Sequence, residues 1–525
     1  MHQNPFVGSS SFFASQPAFS LLFPSSLSLN QSSIHFSHLL LTMEVKVKVK
    51  LLAARISFLV LMFDLGQAFN GGENKIKLLN LHQFRWETKH TDDDPTCFSR
   101  KSSRRENGAT ILEMKHKDYC SGPIKDWNQR LQTRIIFDNY RVQSIQSRLK
   151  RGARVQDISQ TQIPLTSGIK LQTLNYIVTI ELGGKNMTLI VDTGSDLTWV
   201  QCQPCKMCYN QQGPIFDPSL SKSYQAVPCG SQPCRSLVFA TGKYGLCGGS
   251  PQTSSCNYYV SYGDGSFTGG DLATEKIDLG ATPVQDFVFG CGRNNKGLFG
   301  GASGLMGLGR SELSLVSQTN SIFGGVFSYC LPSSDSESSG SLTFGGDYSV
   351  FSNSTPISYT RMVENPQLSS FYFINLTGAS VGGVNLQSPS FGTGGVLIDS
   401  GTVITRLPPS IYRSIKTEFL NQFSGIPSAP GFSILDVCFN LSGYREVNIP
   451  TLRMEFEGGS ELEVDVMGMF YFVRSDASQV CLALASLTYE DQIPILGNFQ
   501  QRNTRVVYDT VESRLGFARE SCDYA

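Results

Sequence analysis

The sequence predicts an all-β fold built from two homologous halves. From about residue 172 onwards, short apolar segments such as NYIVTIELGG, NMTLIVDTGS and PVQDFVFGCG alternate with glycine turns, a pattern typical of antiparallel strands and hairpins. The 525 residues include 50 glycines and only 16% charged side chains, which suits a folded, turn-rich protein rather than a disordered one. Two segments within this region also repeat one another, which predicts two related lobes. Short helices are expected near Glu312–Gln318 and Ser410–Phe423.

The repeated segments each end an apolar run with an aspartate. They are LIVDTGSDLTWVQC, which contains Asp192, and GVLIDSGTVITRL, which contains Asp399. A buried carboxylate is costly without a partner, so we expect two facing lobes to bring the aspartates together as partners. Two carboxyl groups in contact share a proton and their pKa values separate. One can then accept a proton from water while the other hydrogen-bonds a carbonyl oxygen, which is sufficient for peptide-bond hydrolysis.

The residues after each aspartate predict how the pair is supported. They are a hydroxyl, a glycine and a hydroxyl in both copies: Thr193, Gly194 and Ser195, and Ser400, Gly401 and Thr402. The last hydroxyl of each trio is expected to donate to the outer carboxylate oxygen, and the first to bond across to the other lobe. The glycines are expected to let the backbone turn tightly beneath the pair.

With these motifs, residues 172–525 resemble the pepsin-like aspartic proteases, and in particular their plant nepenthesin-like branch. The resemblance implies a bilobal fold of two β-barrel-like lobes, with a cleft between them that binds polypeptide substrates in extended conformation. It also implies that Leu305-Met306-Gly307 and Ile495-Leu496-Gly497 support the two aspartate loops. Tyr262 and Gly263, in VSYGDGSFTGG, correspond to the mobile flap, and Trp199 is placed to bind the flap tyrosine.

Twelve of the 14 cysteines lie between Cys202 and Cys522 and predict disulfides formed in an oxidising compartment. The alternative is a zinc site, because the spacing C-x2-C-x2-C opens this region, but no histidine lies within it. The resemblance implies the pairs Cys438–Cys481 and Cys330–Cys522 and leaves the rest of the connectivity open. The other cysteines of the region are Cys202, Cys205, Cys208, Cys229, Cys234, Cys247, Cys256 and Cys291. Nothing in the sequence chooses between pairing and free thiols for Cys97 and Cys120.

The N-terminal third has a different character. Residues 1–42 look like an upstream extension. Residues 43–68 combine a basic start, an apolar run and small residues at Gly66 and Ala68, which predicts a secretory signal peptide cleaved near Ala68. Secretion to the cell exterior or the vacuole is therefore expected. A plastid transit peptide is the alternative, since residues 1–42 are Ser-rich and acid-poor, but they contain no arginine. The C-terminus carries no hydrophobic tail for a lipid anchor.

Residues 69–160 are predicted to be an inhibitory pro-segment. They hold 18 Lys and Arg against 11 Asp and Glu, whereas residues 161–525 hold 21 against 30, so the two parts attract each other. A helical linker is the plainer alternative. Lys150-Arg151 and Arg154 offer a processing region. One apolar helix face is expected from Trp127, Leu131, Ile135, Val142, Ile145 and Leu149.

Together these observations predict a secreted, self-inhibited aspartic endopeptidase active in acid, with lobes at 161–350 and 351–525. No phosphate loop, HExxH or G-x-S-x-G motif is present, so neither a cofactor nor a catalytic metal is expected. We expect the protein to be a monomer. The acidic body argues against nucleic acid as a partner, and thus against a DNA-binding plastid protease. An inactive binding protein, such as the plant xylanase inhibitors that resemble this fold, is disfavoured by two intact aspartate motifs. N-glycosylation sequons begin at Asn186, Asn353, Asn375 and Asn440.

Overall fold

The computed structural model describes residues 75–81, 102–116, 127–152, 176–248, 254–262, 265–280, 282–297, 299–332, 339–346 and 355–522. We refer to the described residues up to 152 as the N-terminal segment, to 176–346 as the first half, and to 355–522 as the second half. The predicted upstream extension and signal peptide lie outside the described residues, as do Cys97, Cys120, Arg154, Gly263 and Asn353.

The N-terminal segment contributes three strands and a long helix: β1 (Ile76–Asn80), β2 (Ser103–Glu106), β3 (Ala109–His116) and α1 (Trp127–Gly152).

The first half is composed mainly of strands, with three short helices and a 3-10 turn at Pro218–Leu220. Its strands are β4 (Tyr176–Leu182), β5 (Lys185–Asp192), β6 (Trp199–Gln201), β7 (Gln225–Ala226), β8 (Leu246–Cys247), β9 (Cys256–Ser261), β10 (Phe267–Asp278), β11 (Pro283–Lys296), β12 (Gly304–Gly307), β13 (Val326–Cys330) and β14 (Gly340–Phe344). Its helices are α2 (Gln232–Thr241), α3 (Leu315–Gln318) and α4 (Asn320–Phe323).

The second half repeats this character. Its strands are β15 (Ser358–Val363), β16 (Tyr372–Ile374), β17 (Leu376–Val381), β18 (Val384–Asn385), β19 (Val396–Ile398), β20 (Thr405–Leu407), β21 (Ser428–Ala429), β22 (Cys438–Phe439), β23 (Glu446–Pro450), β24 (Leu452–Phe456), β25 (Ser460–Glu463), β26 (Phe470–Phe472), β27 (Val480–Leu482), β28 (Leu484–Ser486), β29 (Ile495–Leu496), β30 (Thr504–Asp509) and β31 (Arg514–Arg519). Its helices are α5 (Pro409–Gln422) and α6 (Val466–Met469). The helices predicted near residues 312–318 and 410–423 are therefore present as α3 and α5.

The predicted all-β, two-lobed fold is confirmed, because the halves share the same strand arrangement around each aspartate. In the first half, β12 runs parallel to β5 and antiparallel to β6. In the second half, β29 runs parallel to β19 and antiparallel to β20. Leu189 to Asp192 are all buried in β5, as expected for a strand covered on both faces. The sequence repeat is thus a structural repeat that delivers one aspartate from each half.

One antiparallel sheet joins the two halves and includes the N-terminal segment. Its consecutive neighbours are β3, β14, β13, β30, β31 and β15. At its centre the rings of Phe327 and Tyr508 stack with centroids 4.4 Å apart. A further strand of the segment, β1, pairs with β23 of the second half. The N-terminal segment is therefore held by backbone ladders as well as by charge.

Helix α1 packs on the second half through the face that its periodicity predicts. Leu131 and Ile135 join a cluster with Val403 and Ile404, and Val142 and Ile145 join another around the end of β19. The side chain of Gln146 donates to Ile493 O (2.7 Å) and accepts from Ile493 N (3.0 Å), as a neighbouring strand would. The side chains of Trp127 and Leu149 lie outside the described residues. Among the described helices, none is long and apolar enough to cross a membrane.

Six disulfides join the cysteines from Cys202 to Cys522. Both pairs implied by the resemblance, Cys330–Cys522 and Cys438–Cys481, are confirmed. The remaining bonds are Cys202–Cys291, Cys205–Cys208, Cys229–Cys247 and Cys234–Cys256. The zinc alternative is therefore wrong for Cys202, Cys205 and Cys208. The sulfurs of Cys229, Cys234 and Cys247 lie close together because two disulfides are neighbours, and a disulfide sulfur is not a thiolate ligand.

The bond between Cys330 and Cys522 closes a loop of 192 residues, whereas Cys205–Cys208 spans only three. Replacing Cys330 and Cys522 together by alanine is expected to lower the free energy of unfolding by about 2–4 kcal/mol, since long loops lose most chain entropy when closed. The matched control, Cys205→Ala with Cys208→Ala, should cost clearly less. Denaturant unfolding of the oxidised proteins measures both, and equal losses would contradict this expectation.

Candidate active site

The two predicted aspartates meet at the contact between the halves. Asp192 ends β5 and Asp399 follows β19, and their side chains are almost completely buried. Both accept hydrogen bonds from the guanidinium of Arg141 on helix α1. Arg141 Nη2 donates to Asp192 Oδ1 (2.6 Å) and to Asp399 Oδ1 (2.8 Å), and Nε donates to Asp399 Oδ2 (2.8 Å). The expectation that each carboxylate has the other as its partner thus needs correction, because in this structure a cation partners both.

Two hydroxyls bond to the outer oxygens of the aspartates. Ser195 Oγ donates to Asp192 Oδ2 (2.7 Å) and Thr402 Oγ1 donates to Asp399 Oδ2 (2.5 Å). The backbone N–H groups two residues after each aspartate donate to the inner oxygens, at 3.1 and 2.9 Å. Each carboxylate therefore receives a hydroxyl and an amide from its own loop, in addition to the guanidinium.

Thr193 and Ser400 bond across the contact between the halves in a nearly symmetric way. Thr193 N donates to Ser400 Oγ (3.2 Å), and Ser400 N donates to Thr193 Oγ1 (3.0 Å). The two hydroxyl oxygens are 3.3 Å apart. Because both residues are buried, these bonds fix the two aspartate loops relative to each other.

Gly194 and Gly401 are required by space rather than by an unusual backbone angle. Neither has a positive φ. A Cβ on Gly194 would lie 2.9 Å from Asp399 Oδ1, and one on Gly401 would lie 2.6 Å from Asp192 Oδ1. The Arg141 guanidinium would lie closer still, so each glycine makes room for Arg141 and for the carboxylate of the opposite half. This close approach, rather than a tight turn, is the reason for glycine here.

The two apolar-apolar-glycine elements lie directly behind the aspartates. Gly307 is in register with Asp192, and the next residue, Leu308, donates its N–H to Asp192 O (2.9 Å). In the second half, Asp399 N donates to Leu496 O (3.1 Å). These contacts position the backbone of each aspartate and leave its side chain free to face the other half.

The flap candidate belongs to the β9–β10 hairpin of the first half. Tyr262 lies at the tip of the β9–β10 hairpin, where its N–H donates to Ser266 O (2.8 Å). Trp199 Nε1 donates to Tyr262 Oη (2.8 Å), which is the contact that the resemblance implied. Trp199 is completely buried and meets Phe299 edge to face, with ring centroids 4.8 Å apart.

The sequence is similar to those of plant aspartic proteases. Two family models, described as "Xylanase inhibitor N-terminal" and "Xylanase inhibitor C-terminal", match residues 176–346 and 371–519. An aspartyl protease family protein of Arabidopsis thaliana is 46% identical over 397 residues, which cover 74% of this chain and 81% of that protein. The chain belongs to the plant pepsin-like aspartic protease family. Aspartic proteinase nepenthesin-1 of Nepenthes gracilis is 35% identical over 399 residues, covering 72% of this chain and 86% of the proteinase.

Solved structures show the same fold at lower identity. Basic 7S globulin from soybean matches with a TM-score of 0.52 and 22% identity, covering 66% of this chain and 92% of that one. Conglutin gamma from lupine seeds matches with the same TM-score and identity, over 65% of this chain and 91% of that one. The bilobal architecture of this aspartic protease family member is therefore shared with seed globulins.

The electrostatics of the site depend on Arg141. Burial disfavours the charged form of Asp399, but the adjacent Arg141, the Thr402 hydroxyl and the Gly401 amide outweigh burial and lower the pKa of the Asp399 carboxyl. Burial acts against the charge of Arg141 too, yet the two carboxylates raise its pKa above the usual value. In the full-length chain the site is thus an ion cluster rather than a proton-sharing pair.

The sequence analysis missed the polar residues of the buried face of α1. Arg134, Asp138 and Gln146 are buried there, and Arg141 reaches the aspartates from the same helix. These residues lie three or four positions from apolar residues of the helix, which places them on its buried face. The spacing could have predicted that they have buried hydrogen-bond partners, because buried polar groups are almost always paired. Asp138 is paired with Arg406 of β20, Nη2 to Oδ2, at 2.7 Å.

The three described sequons differ in exposure. Asn186 is exposed near the start of β5, although it lies within a strand. Asn375 and Asn440 are partly buried. Asn375 Nδ2 donates to Glu457 Oε2 (3.3 Å), and Asn440 Oδ1 accepts from Ser442.

The cross-contact between Thr193 and Ser400 allows a double-mutant cycle. Thr193→Val and Ser400→Ala are each expected to lower the free energy of unfolding by about 1–2 kcal/mol, with a coupling of about 1 kcal/mol, because each leaves a buried partner unsatisfied. Thr360→Val is the matched control, since the buried Thr360 hydroxyl has no hydrogen-bond partner among the described residues. Additive losses in denaturant unfolding would show that the cross-contact is not made.

Proposed function

We propose that this chain is the precursor of an aspartic endopeptidase that hydrolyses peptide bonds in acid, with Asp192 and Asp399 as its catalytic pair. The observation that carries the proposal is the convergence of two buried carboxylates, each with its own hydroxyl and amide donors. A protein that only binds has no need of a second carboxylate opposite the first, since bringing the two together raises the free energy of the folded state.

The chemistry follows once Arg141 has left. The two carboxyl groups then share one proton, since both cannot ionise at contact distance. The ionised member takes a proton from a water molecule, and the water oxygen attacks the peptide carbonyl carbon while the neutral member donates a hydrogen bond to the carbonyl oxygen. Transfer of the proton to the amine nitrogen allows the C–N bond to break. An extended polypeptide in the cleft would lie beneath Tyr262, whose hydroxyl is oriented by Trp199.

The N-terminal segment acts as the inhibitor in this proposal. Arg141 binds both aspartates, so it occupies the space between them where the water would sit, and it lowers the pKa of Asp399. The segment is bound to the first half through β3 and to the second half through β1 and the apolar face of α1. The predicted charge attraction is supported by the ion pair of Lys77 with Glu463, at 2.9 Å.

The pH dependence of inhibition follows from the direction in which the pKa of Asp399 is shifted. The pKa of Asp399 is lowered while Arg141 is bound, so this contact favours the closed state at higher pH and is lost as the pH falls through the lowered pKa. The ordinary aspartate value is about 3.9. The Arg141 contact therefore resists mild acid and is released in strong acid.

Secretion through an oxidising compartment is part of the proposal. Six disulfides among the described residues support it, because such bonds persist outside the reducing cytosol. Exposed Asn186 would be accessible to a glycosyltransferase. We propose that the enzyme acts as a monomer on polypeptide substrates.

Removing one carboxylate tests the catalytic pair. The Asp192→Asn variant is expected to lose at least about 10³-fold of casein cleavage measured from pH 3 to 8 after acid treatment, because one of the two proton-transfer groups is gone. The matched control, Asp286→Asn, changes an exposed residue with positive φ that asparagine tolerates, and should keep full activity. A wild-type protein that is folded and freed of its segment but cleaves nothing would favour a binding protein instead.

Removing the cation tests the inhibitory contact. The Arg141→Gln variant is expected to process itself at a higher pH than the wild type, because the guanidinium that lowers the pKa of Asp399 and holds the segment closed is gone. Gel analysis of processing against pH measures the shift. Arg105→Gln, which removes an exposed charge from β2 of the same segment, is the control. An unchanged profile in Arg141→Gln would refute inhibition through this contact.

A further inference from the structure

Helix α1 presents a second ionic group to the second half, with polarity opposite to that of Arg141. Asp138 lies three residues earlier and is buried. Its Oδ1 accepts from Val403 N (2.5 Å), and its Oδ2 accepts from Ile404 N (3.3 Å) and from Arg406 Nη2 (2.7 Å). One carboxylate of the segment therefore satisfies two backbone amides and one guanidinium.

All three donors belong to the second half and would remain when the segment leaves. Arg406 is only 2% exposed, and its other hydrogen bond runs from Nη1 to Ile404 O (2.8 Å). A buried guanidinium that loses its anion is strongly destabilised. When the segment leaves, these three donors lose the carboxylate that they bind, and a carboxylate of another chain could replace it.

The donors are close to the proposed catalytic pair. Val403 follows Asp399 by four residues, directly after the aspartate loop. Asp138 and Arg141 are separated by about 4.5 Å along the axis of α1. An extended peptide advances by about 3.3 Å per residue, so it covers this distance in about one to two residues. A substrate side chain that took the place of Asp138 would thus lie about one or two residues from the cleaved bond.

A cavity adjoins Arg406 between α1 and the second half. Its volume is about 250 Å³, and Asn139, Gln146, Arg406, Ser486 and Thr488 contribute to its wall. Arg406 therefore lies at the wall of a cavity that is partly formed by α1, so departure of the helix would widen the space beside this residue.

We propose that Arg406, with the N–H groups of Val403 and Ile404, forms a subsite that selects an acidic side chain of the substrate, and that Asp138 occupies this subsite in the full-length chain. The inference rests on the proposed peptidase function and names its preferred substrate class. The segment then imitates a substrate at Arg406 while it blocks the chemistry at the aspartates.

The first test uses the processed wild-type enzyme and needs no variant. Pairs of peptides that differ only by Glu or Gln are compared at each of the three positions on either side of the cleaved bond. At pH 5.5 we expect kcat/KM to favour Glu by at least about tenfold at one position, since a charge-assisted hydrogen bond is much stronger than a neutral one.

The second test changes the subsite. Arg406→Gln should remove the preference for Glu. Arg406→Lys should retain part of it, because lysine keeps the positive charge but lacks the planar guanidinium. Arg361→Gln, which changes an exposed arginine, is the control and should leave the preference unchanged. Equal cleavage of Glu and Gln peptides at every position, or a preference that survives Arg406→Gln, would overturn the subsite while leaving the peptidase proposal intact. If the Arg406 variants do not fold, the peptide pairs decide alone. Cleavage of no peptide at all would overturn both proposals.

Discussion

The convergence of two buried carboxylates on one guanidinium is the constraint on which the rest of this structure depends. Asp192 and Asp399 each bring a negative charge to the same buried place, and repulsion there must be offset. Two hydroxyls, two amides and the guanidinium of Arg141 supply this offset. The donors come from both halves and from the N-terminal segment, so the whole described chain contributes to one site.

The parts of the site that the sequence predicted are those whose chemistry is local or symmetric. Ser195 donates to an aspartate three residues away, and this relation repeats in the second half. The Thr193–Ser400 contact follows from superimposing the two repeats. Arg141 could not be found in this way, because 51 and 258 residues separate it from its two partners. Only a packed helix brings it to them, and periodicity predicts the helix but not its partner.

The opposite net charges of segment and body explain only part of their association. Lys77 and Arg141 pair with acidic groups of the body as expected, but Asp138 pairs with Arg406 in the reverse sense. The backbone hydrogen bonds of β1 and β3 and the apolar contacts of α1 do not depend on side-chain charge. Acid therefore acts on a few ion pairs, those of α1 and the Lys77–Glu463 pair of β1, and leaves the strand pairing in place, so separation of the segment needs backbone cleavage as well.

The two ionic contacts of α1 respond to acid in opposite directions. Burial raises the pKa of the Asp138 carboxyl, although Arg406 and the amides of Val403 and Ile404 partly compensate. Protonation of Asp138 therefore favours the docked helix, whereas protonation of Asp399, whose pKa is lowered, favours its release. Arg134 and Tyr471 also lie near Asp138. Acid therefore does not release the helix through the Asp138–Arg406 contact, in contrast to the Arg141–Asp399 contact. Protonation of Asp399 therefore weakens the Arg141 contact, and in the proposed mechanism the same proton is the one that the catalytic pair shares.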